Sequence, residues 1–414
     1  MKGPFAAFPR NTRNSLRLEP LWALFGGVIF YFAPLYMKAL GVTELEMGVL
    51  TSVGLFLSFF FLLLAGPVTN KYGRHIACLV WDIVSWTVSM TLWAFAQNYL
   101  WFLVAVLFNS ATRVTMISWN LLVTEDATQE QQVSIFAVVT LLGQLGGIVS
   151  LGAGLLLDTF GVIPTMRATY ALGAVFMTSM FVLRYFFTQE TENGVRVREL
   201  TRHTPLAKLV VDQGRSLLHA AKDGHFAVLA LVFILNMAVQ SFTFFQILRL
   251  RETLGYTNTE LAIIPAVNSV LTLLLFSVVI PRVPAQAERL GLAVAFLLCA
   301  ASAAAFLFLG PGMLVVVLVV QGLGAAAYVL LATYRDSVFM NSVPEEKKAE
   351  LYSLLHMISM VASIPTGVLA GWLYTLNPLA TFGAVVVLFV LGFVASLVLM
   401  RHQTAKHPAE PGVL

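Results

Sequence analysis

Charged residues are scarce in this chain. Of its 414 residues, 25 are Lys or Arg and 21 are Asp or Glu, so 11% of the sequence is charged while 58% is hydrophobic. Soluble domains carry about 25% charged residues. A soluble core could not bury so many segments that are apolar on every side, whereas a lipid bilayer solvates them. The composition therefore predicts an integral membrane protein.

Cysteine and histidine are also sparse. The two cysteines, Cys78 and Cys299, lie in apolar runs far apart in the sequence, which is no pattern for a disulfide framework or a metal cluster. The seven histidines form no HExxH pattern, and the sequence has no GxSxG motif. We therefore expect neither a metal nor a cofactor, and an embedded enzyme or a receptor is only a remote alternative.

Twelve apolar runs of about membrane-spanning length are present. Six precede and six follow a polar, basic stretch at 188–224, and similar polar turns after the fourth and tenth runs suggest a duplicated unit. We predict an all-α fold with an N-terminal six-helix bundle at 1–187, a cytoplasmic central loop at 188–225 and a C-terminal six-helix bundle at 226–414. The predicted spans are 20–40, 47–68, 76–96, 100–124, 133–157, 164–187, 226–247, 260–280, 290–309, 313–340, 350–375 and 379–400.

Lysine and arginine predict the orientation. With both termini on one side, 19 of the 25 basic residues lie on that side, four lie opposite, and Arg113 and Arg335 fall within spans. Basic residues concentrate in cytoplasmic loops, so both termini are predicted to be cytoplasmic in a multi-pass plasma-membrane protein. The same rule accounts for the net charge of +4, and nucleic-acid binding is not expected.

The segment between the second and third spans carries a recognisable pattern. It reads GPVTNKYGRH over 66–75. This segment resembles the loop motif of the major facilitator superfamily in its glycines and basic residues. The matching residues are Gly66, Lys71, Gly73 and Arg74, whereas Asn70 replaces the usual acid and His75 the second basic residue. Together with twelve spans and the half-repeat, the resemblance covers nearly the whole chain and implies two pseudo-symmetric six-helix bundles.

The resemblance also implies a role for this segment. In the family it holds the two halves together on the inner side in the outward-facing state. The acidic residue that the family usually has in this segment often faces the N-terminus of span 11. Asn70, which replaces it here, could still accept a hydrogen bond there but brings no charge. Glu125 and Asp126, at the inner end of span 4, are candidates to pair with Arg74. The alternative is that both are ordinary solvated loop carboxylates.

Polar side chains inside the spans mark the predicted substrate site. A charge at the bilayer centre costs about 2.5 kcal/mol or more, so Arg113 needs a partner, a cavity or a substrate. Arg113 resembles the membrane-centred arginine of the family's drug and proton antiporters, although the usual following glycine is missing. The resemblance places spans 1, 4, 7 and 10 around the central cavity. The candidate substrate-binding residues are Tyr31, Asn109, Arg113, Asn120, Asn236, Gln240, Gln321 and Tyr328.

Other embedded polar groups are candidates for coupling or gating. Asp82 in span 3 could bind and release a proton, or could instead lock helix ends. His356 in span 11 is a candidate because histidine side chains ordinarily titrate near neutral pH, although a lone histidine is often a packing residue. Arg335 and its neighbour Asp336 lie near the inner end of span 10, where Arg335 either gates the cavity or extends its charge to the cytoplasm.

These patterns together predict a secondary active transporter that works by alternating access. We expect a monomer that moves a small molecule across the lipid bilayer, coupled to protons by family resemblance. Export of amphiphilic or drug-like compounds is the leading interpretation. Uptake or exchange of a polar metabolite or an organic anion is the alternative.

Overall fold

Helices form the framework of the protein. The computed structural model describes residues 5–211, 224–279, 288–343 and 348–404. We number the membrane helices α1 to α12 in chain order. They are Pro20–Ala39, Glu44–Tyr72, Arg74–Ala94, Tyr99–Thr124, Gln129–Phe160, Val162–Phe187, Ala227–Thr253, Asn258–Leu274, Glu288–Leu307, Leu314–Ser342, Lys348–Leu376 and Pro378–Thr404. Two further helices are the amino-terminal helix Arg10–Leu18 and the linker helix Glu192–Thr201.

Eleven of the twelve numbered helices are long and apolar enough to cross a membrane. The twelfth, α8, has 17 residues and continues as a π-helical turn over Leu275–Val279. Its predicted end at residue 280 lies outside the described residues. The all-α membrane fold is therefore confirmed, and six numbered helices on each side of the central loop are consistent with the twelve predicted spans.

The amino-terminal helix and the linker helix lie on the same side of the helix bundle. The side chain of Asn11 donates to the backbone oxygen of Gln189 at 2.9 Å, and Thr12 donates to that of Val123 at 2.6 Å. Lys71, at the end of α2, donates to the backbone oxygen of Thr204 at 2.6 Å. We call this side the linker face and the opposite side the far face.

Glycines let the two halves approach closely on the far face. A Cβ atom added at Gly48 of α2 would lie 2.4 Å from the carbonyl oxygen of Gly367 on α11. A Cβ atom added at Gly154 of α5 would lie 2.5 Å from the Cβ atom of Ala262 on α8. Backbones can come this near only where no side chain intervenes, so these glycines permit the closed far face.

Asp158 at the end of α5 also joins the halves on the far face. One carboxylate oxygen accepts hydrogen bonds from the backbone and side-chain nitrogens of Asn258 at 3.1 and 2.8 Å. The other accepts from the backbone nitrogen and hydroxyl of Thr259 at 2.8 and 2.6 Å. A carboxylate from one half thus caps the first turn of α8 in the other half, where the helix dipole favours negative charge.

The turn between α2 and α3 is shorter than the sequence predicted. Helix α2 continues to Tyr72, four residues past the predicted end of the span, and a single residue, Gly73 with φ of +88°, makes the turn. Hydropathy marks where a helix leaves lipid, whereas the helix itself can extend into water. The predicted loop at 66–75 is therefore corrected to a helix end followed by a one-residue turn.

Candidate functional site

A cavity of about 320 Å³ lies between the two halves, enclosed mainly by α1, α7, α8 and α10. It sits on the inner side of the far-face contacts. Tyr31, Gln240 and Gln321, all three among the predicted substrate-binding residues, line it. Its remaining walls are Phe30, Pro34, Thr243, Phe244, Gln246, Ile247, Leu250, Ile264 and Asn268. The sequence analysis missed Gln246 and Asn268, although both are polar residues inside apolar segments.

Tyr31 joins the two halves beside this cavity. Its hydroxyl donates to the backbone oxygen of Leu261 on α8 at 3.0 Å. The residue therefore lines the cavity and at the same time contributes to closure of the far face.

Four of the predicted residues on α7 and α10 form a continuous hydrogen-bonded chain. The amide of Gln240 donates to the hydroxyl of Tyr328 at 3.3 Å, and that hydroxyl donates to the side-chain oxygen of Asn236 at 3.4 Å. Arg335 donates to the same oxygen at 2.7 Å. Asn236 is only 2% exposed. The chain therefore connects the cavity to the charged residues nearer the linker face.

Arg335 has partners on several sides. It donates through Nε to Asp336 at 2.9 Å, and its guanidinium lies 4.6 Å from the ring centroid of Phe233. Its side chain is directed toward Asn236 within the helix bundle. Whether Arg335 gates transport stays a prediction, but its charge is balanced by Asp336.

Arg113 differs from Arg335 because it has no hydrogen-bond or ion-pair partner among the described residues. Its Nε atom is buried without one. Arg113 and Arg335 both act electrostatically on His356 of α11, whose ring packs 4.6 Å from that of Tyr352 between centroids. The three residues come from α4, α10 and α11. The part of the cleft nearer the linker face therefore holds the unpaired positive charge of Arg113 beside the Arg335–Asp336 ion pair.

The structure places the other predicted residues of α4 apart from Arg113. Asn109 donates to the backbone oxygen of Ser85 on α3 at 3.3 Å, within the N-terminal half. Helix α4 is interrupted at Ser110 and Ala111, so the regular spacing that placed Asn109 and Arg113 on one face does not carry across. Asn120, after the break, does not line the cavity described above. Its side chain makes no hydrogen bond within the part of the chain that the structure describes.

The residues of the loop motif form a network on the linker face. Arg74 donates to Glu125 at 2.9 Å, and Glu125 also accepts from Thr191 and from Asn193 at 2.9 Å. Burial alone would raise the pKa of Glu125, but these hydrogen bonds hold it below its usual value. The linker is thereby tied to the motif.

The remaining motif residues are also bound on the linker face. Asp126 accepts from Asn11 at 3.2 Å rather than from Arg74. The backbone oxygen of Asn70 accepts from the hydroxyl of Thr201 at 3.1 Å. Residues 344–347, which precede α11 in the sequence, lie outside the described residues, so the contact predicted between Asn70 and the N-terminus of span 11 stays a prediction. Gly66 lies inside α2.

Glu190 is a motif partner that the sequence analysis missed. Its carboxylate accepts from the backbone nitrogens of Arg74 and His75 at 3.0 and 3.2 Å, which caps the start of α3. A Cβ atom added at Gly73 would lie 2.2 Å from the same carboxylate. Both the positive φ and this close approach therefore require glycine at position 73.

A second charged group lies buried inside the N-terminal half. Asp82 on α3 forms an ion pair with Arg184 on α6, and the two residues are 2% and 4% exposed. The thiol of Cys78 donates to the same carboxylate at 3.4 Å. Glu19, just before α1, acts electrostatically on both members of the pair, and its Oε2 atom is buried without a hydrogen-bond partner. Arg184 is thus paired with Asp82, and Glu19 lies near enough to feel the charges of both.

Among the described residues, no group of three or more His, Cys, Asp or Glu side chains could hold a metal ion. The polar groups that line the cleft are amides, hydroxyls and guanidinium groups, which lie among aromatic rings around a cavity and are suited to binding a small molecule.

Comparison with known proteins agrees with this architecture. The sequence model of the Major Facilitator Superfamily matches residues 21–334. No significant match is found among curated proteins. Similar solved structures include the human organic anion transporter MFSD10 (TETRAN), at 15% identity and a TM-score of 0.65 over 94% of this chain and 100% of that chain.

Two further solved structures have the same fold. A POT family transporter in complex with a thioalcohol-conjugated peptide is 13% identical, with a TM-score of 0.71 over 98% of both chains. An inward-facing, occupied bacterial homologue of the human lysosomal transporter Spinster is 14% identical, with a TM-score of 0.67 over 94% of this chain and 96% of that chain. The chain therefore belongs to the Major Facilitator Superfamily and is a multi-pass membrane transporter.

Proposed function

We propose that this protein is a secondary active transporter of a small amphiphilic solute, in which residues 1–187 and 226–414 move against each other. The cavity between the halves carries this proposal, because it ends at a closed far face where Gly48 and Gly367 meet. Rocking of two such halves about a central site gives alternating access.

We infer that the linker face is cytoplasmic and that the membrane is the plasma membrane. The distribution of basic residues supports this orientation, since 19 of 25 belong to the side of the termini. The far-face closure then corresponds to an inward-facing state. In this orientation the part of the cleft that holds Arg113 and Arg335 lies between the cavity and the cytoplasm.

We propose export of an amphiphilic or drug-like compound, because much of the cavity wall is apolar. Phe30, Phe244 and Leu250 are among its lining residues. Uptake or exchange of an organic anion is the second candidate. Arg113 favours it, because a buried guanidinium without a protein partner is stabilised by an anionic ligand.

Flux into proteoliposomes tests the proposed function. With purified protein, a compound found by a thermal-shift screen should accumulate in vesicles against its gradient when a proton gradient is imposed. Vesicles with the same lipid and no protein are the control. Binding without flux under any gradient would indicate a receptor and contradict the proposal.

We further propose that the buried group formed by Glu19, Asp82 and Arg184 carries the coupling proton. With both carboxylates ionised, this group has one negative charge in excess, which burial disfavours. Cys78 of α3 also faces the group. Burial raises the pKa of Glu19 to about 7, and the charge of Arg184 offsets only part of this effect. Glu19 would therefore be protonated below neutral pH and ionised above it.

Replacing Glu19 by glutamine should make transport insensitive to pH around neutrality while leaving solute exchange intact, because a permanently neutral side chain cannot release a proton. The Asp82→Asn variant should also weaken gradient-driven accumulation. Glu192→Gln, in the exposed first turn of the linker helix, is the matched control and should keep the wild-type pH profile. An unchanged profile in both test variants would remove this group from the coupling mechanism.

A further inference from the structure

A second cavity opens inside the C-terminal half, next to the cavity between the halves. Its volume is about 510 Å³, and α7, α9, α10 and α12 surround it. The wall formed by α9 and α12 is mainly apolar and contains three phenylalanines. We call the part of the cavity along this wall the side pocket, and its lining residues are Cys299, Ser302, Ala303, Phe306, Phe382, Val385 and Phe389.

Five polar residues line both cavities and separate the side pocket from the cleft between the halves. They are Gln240, Thr243, Gln246, Asn268 and Gln321, and we call them the amide ring. Amide and hydroxyl groups both donate and accept hydrogen bonds, and none of the five carries a charge. A molecule lying across the ring therefore meets neutral hydrogen-bonding groups in its middle and an apolar wall at one end.

Arg249 fixes the far-face end of the side pocket. Its guanidinium donates to the backbone oxygens of Phe306 and Leu307 at 2.8 and 3.0 Å. The same group lies 4.7 Å from the ring centroid of Phe306 and 5.6 Å from that of Phe382. Two of the three phenylalanines are thus held in place, as expected of a largely preformed ligand site.

We propose that the side pocket binds the aromatic ring system of an amphiphilic substrate whose neutral hydrogen-bonding group lies against the amide ring. The inference rests on the proposed function and names the substrate class of the same cleft. Three phenylalanines favour a flat ring, which packs in offset or edge-to-face contact. The cavity volume is in the range of sites for drug-sized ligands.

Cys299 provides a reporter within the pocket. The chain has one other cysteine, Cys78, which is kept because labelling at each position can be followed separately by peptide mass spectrometry. At ten times its Kd, 4-phenylbenzamide should slow labelling of Cys299 by N-ethylmaleimide about tenfold. Propionamide, which has the amide but no ring, should give no protection. The 4-phenylbenzoate ion, which has the ring but a charged group, should protect less than the amide.

Two variants of α9 give a matched comparison. Ala303→Phe fills the side pocket, whereas Leu297→Phe adds the same ring at a position that is 50% exposed on the outer surface of the helix. The rise in Tm produced by 4-phenylbenzamide should disappear in Ala303→Phe and persist in Leu297→Phe. If Ala303→Phe does not fold, Gln321→Leu removes one amide of the ring and should raise the Kd for 4-phenylbenzamide about tenfold.

Equal protection by propionamide, or a Tm rise that survives in Ala303→Phe, would overturn the proposed pocket. So would protection by 4-phenylbenzoate that matches or exceeds that by the amide. Distances between the halves, measured on the same protein by spin labels, test the proposed function separately. If the halves exchange between two arrangements but 4-phenylbenzamide does not protect Cys299, the proposed pocket is rejected and the transport mechanism is not. Halves that do not exchange reject the transport mechanism.

Discussion

The Gly48→Leu variant should transport about 5- to 150-fold more slowly than the wild type while still binding substrate. A Cβ atom at position 48 would lie 2.4 Å from the carbonyl oxygen of Gly367, a backbone atom that cannot move aside. Overpacking costs about 1–3 kcal/mol, which corresponds to about a 5- to 150-fold fall in the population of the closed far face. Because transport requires each face to close in turn, flux in proteoliposomes should fall by a similar factor.

Gly152→Leu is the matched control for this prediction. Gly152 is a helical glycine of α5, and a Cβ atom added there would meet nothing within 4 Å. Transport by Gly152→Leu should stay near the wild-type value. Full transport by Gly48→Leu would contradict the far-face contact on which the proposed mechanism depends.

Arg113→Ala should strongly impair transport without destabilising the protein. A hydrogen bond to a charged group contributes about 1.5–3 kcal/mol, so flux should fall at least ~10-fold if the polar group of the substrate binds this guanidinium. In the absence of substrate, Arg113 has no hydrogen-bond or ion-pair partner among the described residues. Its removal therefore leaves no protein group unpaired, and Tm should hold or rise.

Two controls distinguish this result from general damage. Met116→Ala changes a residue of α4 that is 44% exposed, and it should transport normally. Arg184→Ala leaves Asp82 buried without its cation, so it should lower the free energy of unfolding by about 3–5 kcal/mol. Wild-type flux in Arg113→Ala would exclude Arg113 from the substrate site.

The sequence predicted the fold well, because the number, length and composition of the apolar runs reflect the bilayer directly. It also predicted that Asn236, Gln240 and Tyr328 belong to one substrate site and that Arg335, a gating candidate, shares a helix face with Tyr328. The structure connects all four in one hydrogen-bonded chain. These residues lie on uninterrupted stretches of α7 and α10, where regular helical spacing fixes the face of each side chain.

Departures from regular helix geometry limited the other predictions. Helix α4 is interrupted at Ser110 and Ala111, and Asn109 binds Ser85 of α3 instead of facing the cleft. The sequence analysis used no local pattern that would have predicted this interruption. Glu19 was overlooked because it precedes the first apolar run, although the structure brings it beside Asp82 and Arg184. Asp158 acts across the two halves, and such a contact depends on packing that periodicity cannot show.

Distances between spin labels in the two halves test the central claim most directly. One pair, Thr159 and Thr253, lies on far-face ends of α5 and α7, and the other, Ser134 and Met340, lies on linker-face parts of α5 and α10. Double electron–electron resonance should show a second population in which the far-face distance is longer and the linker-face distance shorter, and Gly48→Leu should enrich it. Single, unchanged distances at both faces, or distances that lengthen together, would contradict alternating access.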